Sequence, residues 1–191
     1  MADKVIITGA AGGMGRACAR LFGNAHDLVL TDRPSPALDS LVQELDDDGY
    51  RYDLCSGDVT NSDLSGSIME RVSAGERFTL IHAAGLGPSH ADWRTIIQVN
   101  LIAVEQMARA ASVRASAGSV AILIASTAGY MMPAMSGVDK LIQNPMAAGF
   151  LNNVAPVVEQ MCQHGGAVTD SAIAYVISKY GVQKLAERYA A

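Results

Sequence analysis

One junction constrains the fold of this 191-residue chain more than any other: Lys4-Val5-Ile6-Ile7-Thr8 runs straight into Gly9-Ala10-Ala11-Gly12-Gly13-Met14-Gly15. An apolar run of this kind reads as a strand buried on both faces. The glycines that follow allow positive φ angles and a close approach of the backbone. After them the pattern predicts a helix with Met14, Ala17, Cys18, Leu21 and Phe22 on its buried face. Strand, glycine turn and helix together present backbone N–H groups and a helix N-terminus to a phosphate. An ordinary strand-to-helix connection looks much the same, so the rest of the chain must decide.

The same rhythm continues. Asp27-Leu28-Val29-Leu30-Thr31-Asp32 reads as a second strand, and Asp32 lies 17 positions beyond Gly15. A dinucleotide-binding unit needs a carboxylate about 20 residues on, to accept hydrogen bonds from the adenosine ribose. A carboxylate there also repels a 2′-phosphate and so favours NAD(H) over NADP(H), although Arg16 and Arg33 are close enough in sequence to accommodate that phosphate. Residues 35–48 predict a helix with Leu38, Leu41, Val42 and Leu45 as its stripe. A short strand over 50–55, a loop carrying Asp58-Val59, a helix over 62–73 and a strand over 78–85 ending in Ala83-Ala84-Gly85 follow. This alternation predicts an α/β chain with a doubly wound parallel sheet and helices on both faces. Ligands of such sheets sit at the carboxyl ends of the strands. Asp32, Asp58 and the Ala83-Ala84-Gly85 turn all fall there.

A long helix is expected over 92–115, with Ile97, Leu101, Val104, Ala108 and Ala111 buried and Asn100 on the same side. A strand over 119–125 then delivers Ser126 and Thr127 to the carboxyl edge. Residues 129–171 break the rhythm with Pro133, Pro145, Pro156 and five methionines. They read as a helical insertion within one domain spanning 1–191, with Asn144-Pro145 as a helix start. The last helix, over 173–189, places Tyr175, Ser178, Lys179 and Val182 on one face. A free phenol, with a pKa near 10, is too weak a base at neutrality; a lysine charge about 5 Å away lowers that value by roughly two units.

Composition narrows the function classes. Half the residues are hydrophobic, and the formal net charge is −5 with no basic run. Neither a nucleic-acid partner nor an anionic membrane surface is expected. Cys18, Cys55 and Cys162 form no CxxC pair and share no metal-ligand spacing with the four histidines, so reduced thiols and no metal are expected. The chain enters its first strand at once and has no apolar run of about 20 residues, so a cytoplasmic protein without signal peptide or membrane span is expected.

Taken in order, Thr8-Gly9-(x)3-Gly13-x-Gly15, Asp32, Asp58-Val59, Ala83-Ala84-Gly85, Val99-Asn100, Ser126-Thr127-Ala128-Gly129 and Tyr175-(x)2-Ser178-Lys179 resemble the short-chain dehydrogenase/reductase family over essentially the whole chain. The resemblance implies a Rossmann-type fold and hydride transfer between NAD(H) and a secondary alcohol or ketone. It implies a catalytic set of Asn100, Ser126, Tyr175 and Lys179: Tyr175 as general acid/base, Lys179 lowering its pKa and holding the nicotinamide ribose, Ser126 on the substrate oxygen, and Asn100 supporting a water. Gly9, Gly13, Met14, Gly15, Asp32, Asp58, Val59, Ala83, Ala84, Gly85, Tyr175 and Lys179 would contact the cofactor. A homodimer or homotetramer is implied as well.

Three features depart from the compact members of that family. Ser126 and Tyr175 lie 49 positions apart, an insertion similar to that of bacterial 3α-hydroxysteroid dehydrogenase/carbonyl reductases, which implies a bulky apolar substrate such as a steroid. Gly165-Gly166 also resembles that subgroup. His82 stands where asparagine is usual, and Gly9, Gly12 and Gly15 also fit the pattern of nucleotide-sugar epimerases and dehydratases. We read His82 as a strand-end histidine satisfied by backbone. The sequence ends just after the Tyr-Lys helix, before the last elements of the family fold. An epimerase and a non-catalytic dinucleotide-binding protein therefore remain alternative expectations.

Overall fold

The computed structural model describes residues 4–135, 137–164 and 168–190. The chain divides into two compact units, residues 1–84 with 106–124 and residues 85–105 with 125–191.

The first unit is a five-stranded parallel sheet in the order β3-β2-β1-β4-β5. Its strands are β1 (Lys4–Thr8), β2 (Asp27–Thr31), β3 (Tyr52–Leu54), β4 (Phe78–His82) and β5 (Val120–Leu123). Side chains alternate across the sheet. Val5, Ile7, Leu28, Leu30 and Ile81 pack with Ala19 of α1 (Gly13–Gly23) and with Leu41 and Leu45 of α2 (Pro36–Asp47). Ile6, Val29 and Leu80 pack on the other face with Ile68 and Met69 of α3 (Ser62–Met69), and with Met107 and Ala111. The sheet is thus wound on both sides, as the alternation predicts. β5 is one of its two edges, and there Val120 and Ile122 remain 50% and 43% exposed.

The first helix buries only part of the predicted face: Cys18 and Phe22 pack against the core. Gly15, Ala19 and Gly23 are buried, while Met14 and Leu21 are 57% and 68% exposed. Small residues bring the helix close: a β-carbon at Gly15 would lie 2.7 Å from the Gly9 carbonyl carbon, and one at Gly23 would lie 2.8 Å from Tyr50 Cε2 and closer still to Cδ2. Arg16 and Arg20 of α1 both bind Glu44 of α2, and their hydrogen bonds, that of Arg16 first, hold the Glu44 carboxyl below the usual carboxylate range. β3 and α3 are shorter than expected, and α3 stops at Met69.

In the second unit, α4 (Trp93–Ile97) leads into a π-helical turn, Gln98–Ile102, and then into α5 (Ala103–Arg114), whose later residues belong to the first unit. The expected long helix is present, with a wide turn inserted at Asn100. A 3₁₀ turn (Thr127–Met131), α6 (Val138–Ile142) and α7 (Phe150–His164) make up the helical excursion. Asn144-Pro145 lies in a turn closed by Ala147 N–H on Asn144 O, and α7 starts at Phe150 rather than at the proline. Gly165-Gly166 falls outside the described residues. α8 (Asp170–Ala190) runs three residues earlier than expected. Its Arg188 binds the carboxylate of Glu105, which is only 4% exposed. Among the described residues, no helix is long and apolar enough to cross a membrane.

Candidate active site

The first unit carries the glycine turn. Gly9 has φ +68°, and a β-carbon there would meet Ala84 N at 2.6 Å. Gly12 precedes the first helical residue of α1 but offers no side chain to cap it. The first helical N–H groups therefore remain for an anion. A β-carbon at Gly12 would be 3.3 Å from Gly9 O, whereas one at Gly13 would meet nothing within 4 Å. Gly9 and Gly15 are demanded by the fold, while Gly13 faces open space.

Asp32 stands at the end of β2. Its Oδ2 accepts from Ala11 N–H at 2.8 Å and its Oδ1 from Arg33 N–H at 2.8 Å. The carboxylate is thereby fixed to the glycine turn, and each oxygen keeps a second lone pair. Arg16 is engaged with Glu44 and Ser40, while Arg33 is exposed. Asp58 Oδ1 accepts from the Thr60 amide at 2.9 Å and hydroxyl at 2.8 Å, which holds its carboxyl below the usual range. Val59, beside it, is half-buried, and Met14 is exposed at the start of α1. Ala83 N–H donates to Thr8 O at 3.1 Å, tying the turn after β4 to β1. His82 Nδ1 meets the Thr8 hydroxyl at 3.1 Å, a side-chain contact that sequence spacing does not show.

The second unit sets Asn100 and Lys179 beside Gly85, with Tyr175 one helical turn from Lys179. Asn100 is fully buried in the π-helical turn, a feature often found at functional sites. Its Oδ1 accepts from Leu86 N–H at 2.7 Å, and its Nδ2 donates to Leu86 O at 2.8 Å. The side chain is thus committed to the backbone of the segment after Gly85. A β-carbon on Gly85 would lie 3.4 Å from Asn100 Oδ1 and 3.7 Å from Lys179 Nζ, which places these three residues side by side. Lys179 is 6% exposed, and burial holds its ammonium below the usual lysine range. Its Nζ lies 5.8 Å from the centre of the Tyr175 ring. Ser126 caps the 3₁₀ turn by accepting from Ala128 N–H at 3.2 Å, which leaves its hydroxyl hydrogen to donate. Gln183 Nε2 reaches Ser126 O at 3.4 Å and would lie 2.8 Å from a β-carbon on Gly129. Only glycine lets that turn sit so close to α8. Sequence spacing alone gave no sign of Gln183.

A model of the short chain dehydrogenase family matches residues 3–138. The chain belongs to this family. Among its curated relatives, the cis-4-hydroxycyclohexanecarboxylate dehydrogenase of Sinomonas cyclohexanicum is 32% identical over 114 residues, covering 54% of this chain and 46% of that protein. The sulfoacetaldehyde reductase 2 of Chromohalobacter salexigens is 33% identical over 143 residues, 68% of this chain and 56% of that protein. This short-chain dehydrogenase chain spans about half the length of the curated relatives it matches. A solved short-chain dehydrogenase from Sphingobium yanoikuyae, in complex with NADPH, is 28% identical with a TM-score of 0.57, covering 66% of this chain and 55% of that one. Members of the family bind a nicotinamide dinucleotide. The turn at Gly9–Gly15, the uncapped start of α1, the open space at Gly13 and the fixed Asp32 carboxylate fit such a group.

Proposed function

We propose that this chain carries the cofactor-binding and proton-transferring parts of an oxidoreductase acting on a secondary alcohol or ketone with NAD(H). The observation that carries the reading is Lys179: a buried ammonium, depressed by desolvation, one helical turn from Tyr175 and beside Gly85 and Asn100. A buried lysine is costly unless its charge is used. Here it stabilises a phenolate at Tyr175, which takes the proton from the substrate hydroxyl. Ser126 donates its hydroxyl hydrogen to the substrate oxygen and orients it. Asn100 holds the Gly85-Leu86 segment so that Lys179 keeps its place. When bound, the nicotinamide supplies the hydride chemistry itself. Gly13 leaves room for its phosphates, and Asp32 accepts from the adenosine ribose.

NAD(H) is favoured over NADP(H) because the Asp32 carboxylate repels a 2′-phosphate and Arg16 is held by Glu44. A bulky cyclic alcohol, including a hydroxysteroid, is our preferred substrate. A relative named for a hydroxycyclohexane acid and the exposed Tyr130 and Met131 beyond Ser126 support that choice. The three free cysteines suit a reducing, cytoplasmic setting, and we expect a homodimer or homotetramer.

The test is NADH formation with a panel of cyclic secondary alcohols, comparing wild type with Tyr175→Phe. Loss of the acid/base should lower turnover by about 10²–10⁴-fold. Equal turnover in the two proteins removes the proposed mechanism, and a preference for NADP(H) removes the role given to Asp32.

A further inference from the structure

Thr8 and His82 are the final residues of β1 and β4 and lie opposite each other in register. Both side chains are buried, at 0% and 1% exposure. Thr8 Oγ1 lies 3.1 Å from His82 Nδ1 and 3.3 Å from Ala84 N. An amide nitrogen can only donate, so the Thr8 oxygen accepts from Ala84. The hydroxyl has one hydrogen left, and among the described residues its remaining partner is His82 Nδ1. If Nδ1 carried a proton, that hydroxyl hydrogen would be buried with no acceptor.

We propose that His82 is a positioning residue for the dinucleotide site, acting as a neutral imidazole whose Nδ1 lone pair holds the Thr8 hydroxyl and, through it, the Ala84 amide. The ring hydrogen then sits on Nε2. The chain of contacts ends on the atoms against which the glycine turn packs. A β-carbon at Gly9 would lie 2.6 Å from Ala84 N and 2.7 Å from Ala84 Cα. Thr8 also precedes Gly9, and its carbonyl accepts from Ala83 N–H. Rotation of the Thr8 hydroxyl therefore changes the hold on the Ala84 amide, against which Gly9 packs. The consequence for cofactor binding rests on the function proposed above; the tautomer and the hydrogen-bond chain do not.

Two substitutions separate hydrogen bonding from space filling. His82→Asn keeps an acceptor on the γ-carbon, near the place of Nδ1. His82→Gln fills the histidine volume better but carries its polar atoms one bond further out. Thr8→Val keeps the shape and removes the hydroxyl. In the ligand-free chain, imidazole ¹⁵N shifts should report an unprotonated Nδ1. Hydrogen exchange at the Ala84 amide should speed up by about fivefold or more in His82→Gln and Thr8→Val, and stay near wild type in His82→Asn. NADH titration followed by fluorescence should weaken in the same order, with Thr8→Val/His82→Gln no weaker than either single variant. A protonated Nδ1, or His82→Gln performing as well as His82→Asn, overturns the proposal. If the wild-type chain binds neither NADH nor NADPH, the functional reading fails, and the ¹⁵N and exchange data from ligand-free protein still decide the role of His82.

Discussion

Gly13 and Gly15 lie two residues apart at the start of α1, yet alanine should have opposite effects at the two positions. At Gly15 the new methyl group would lie 2.7 Å from the Gly9 carbonyl carbon and 2.8 Å from Ala10 Cα, and closer still to the Gly9 carbonyl oxygen. To restore an ordinary contact of 3.4 Å, the turn and the helix must separate by roughly 0.6–0.7 Å at those carbons, and by more at the oxygen. The obstacles are backbone atoms, so no side chain can rotate away. Overpacking of this kind costs about 1–3 kcal/mol or more. With no rotamer to relieve it, we expect about 3 kcal/mol, a fall in Tm of about 6–12 °C for a domain of this size. At Gly13 nothing lies within 4 Å of the added carbon. There alanine only restricts the unfolded chain, a gain of about 0.4–1 kcal/mol. The methyl group would nevertheless occupy the space open to a pyrophosphate. Gly13→Ala should therefore raise Tm slightly and weaken NADH binding by about tenfold, a loss of about 1.4 kcal/mol. Thermal unfolding of both variants, together with NADH titration of Gly13→Ala, checks this. Destabilisation of Gly13→Ala to the level of Gly15→Ala refutes the packing argument, and unchanged NADH affinity refutes the placement of the phosphates.

Asn100→Ala strips the Leu86 amide and carbonyl of their partners, and should cost about 2–4 kcal/mol in urea unfolding; less than about 1 kcal/mol would mean that water replaces the clamp. Arg188→Met leaves the Glu105 carboxylate buried without its partner. The loss should be about 2–3 kcal/mol, below the figure for a fully buried pair because the Arg188 side chain is 36% exposed, and Glu105→Gln in the same protein should recover part of it. Lys179 has a folded-state pKa below its unfolded value, so the unfolded chain holds the proton more tightly. Stability should then rise with pH from the depressed folded pKa up to the unfolded value near 10.4. Lys179→Met should lack that alkaline rise in Tm, and a rise of the same size in the variant would assign it to another group.

The strand ends, the glycine turn and the alternation of strands with helices were legible because each is written locally, as an apolar run followed by small residues. The face of α1 was legible only in part. Hydrophobic spacing picks out Cys18 and Phe22 correctly, along with Met14, Ala17 and Leu21, but the fully buried positions are Gly15, Ala19 and Gly23, because close approach depends on what a side chain lacks. The position of β5 at the edge was equally hidden, since Val120 and Ile122 read as core residues when taken alone. Asn100 could be placed on the buried side from its spacing. Its partner could not be named, because Leu86 contributes only backbone atoms. The contact of His82 with the Thr8 side chain was hidden for the reverse reason, since the two residues lie 74 positions apart along the chain.

The pairing of Asn100 with Leu86 has an uneven consequence for mutational tolerance. Both hydrogen bonds end on main-chain atoms of residue 86, so any residue other than proline there presents the same donor and acceptor. At residue 100 one amide must supply a donor and an acceptor at a fixed reach, from inside a helix, in a space with no exposure to solvent. Among the other side chains only glutamine carries the same amide fork, and it is one methylene too long. A saturation library scored for folded protein should thus be broad at one end of this contact and nearly empty at the other.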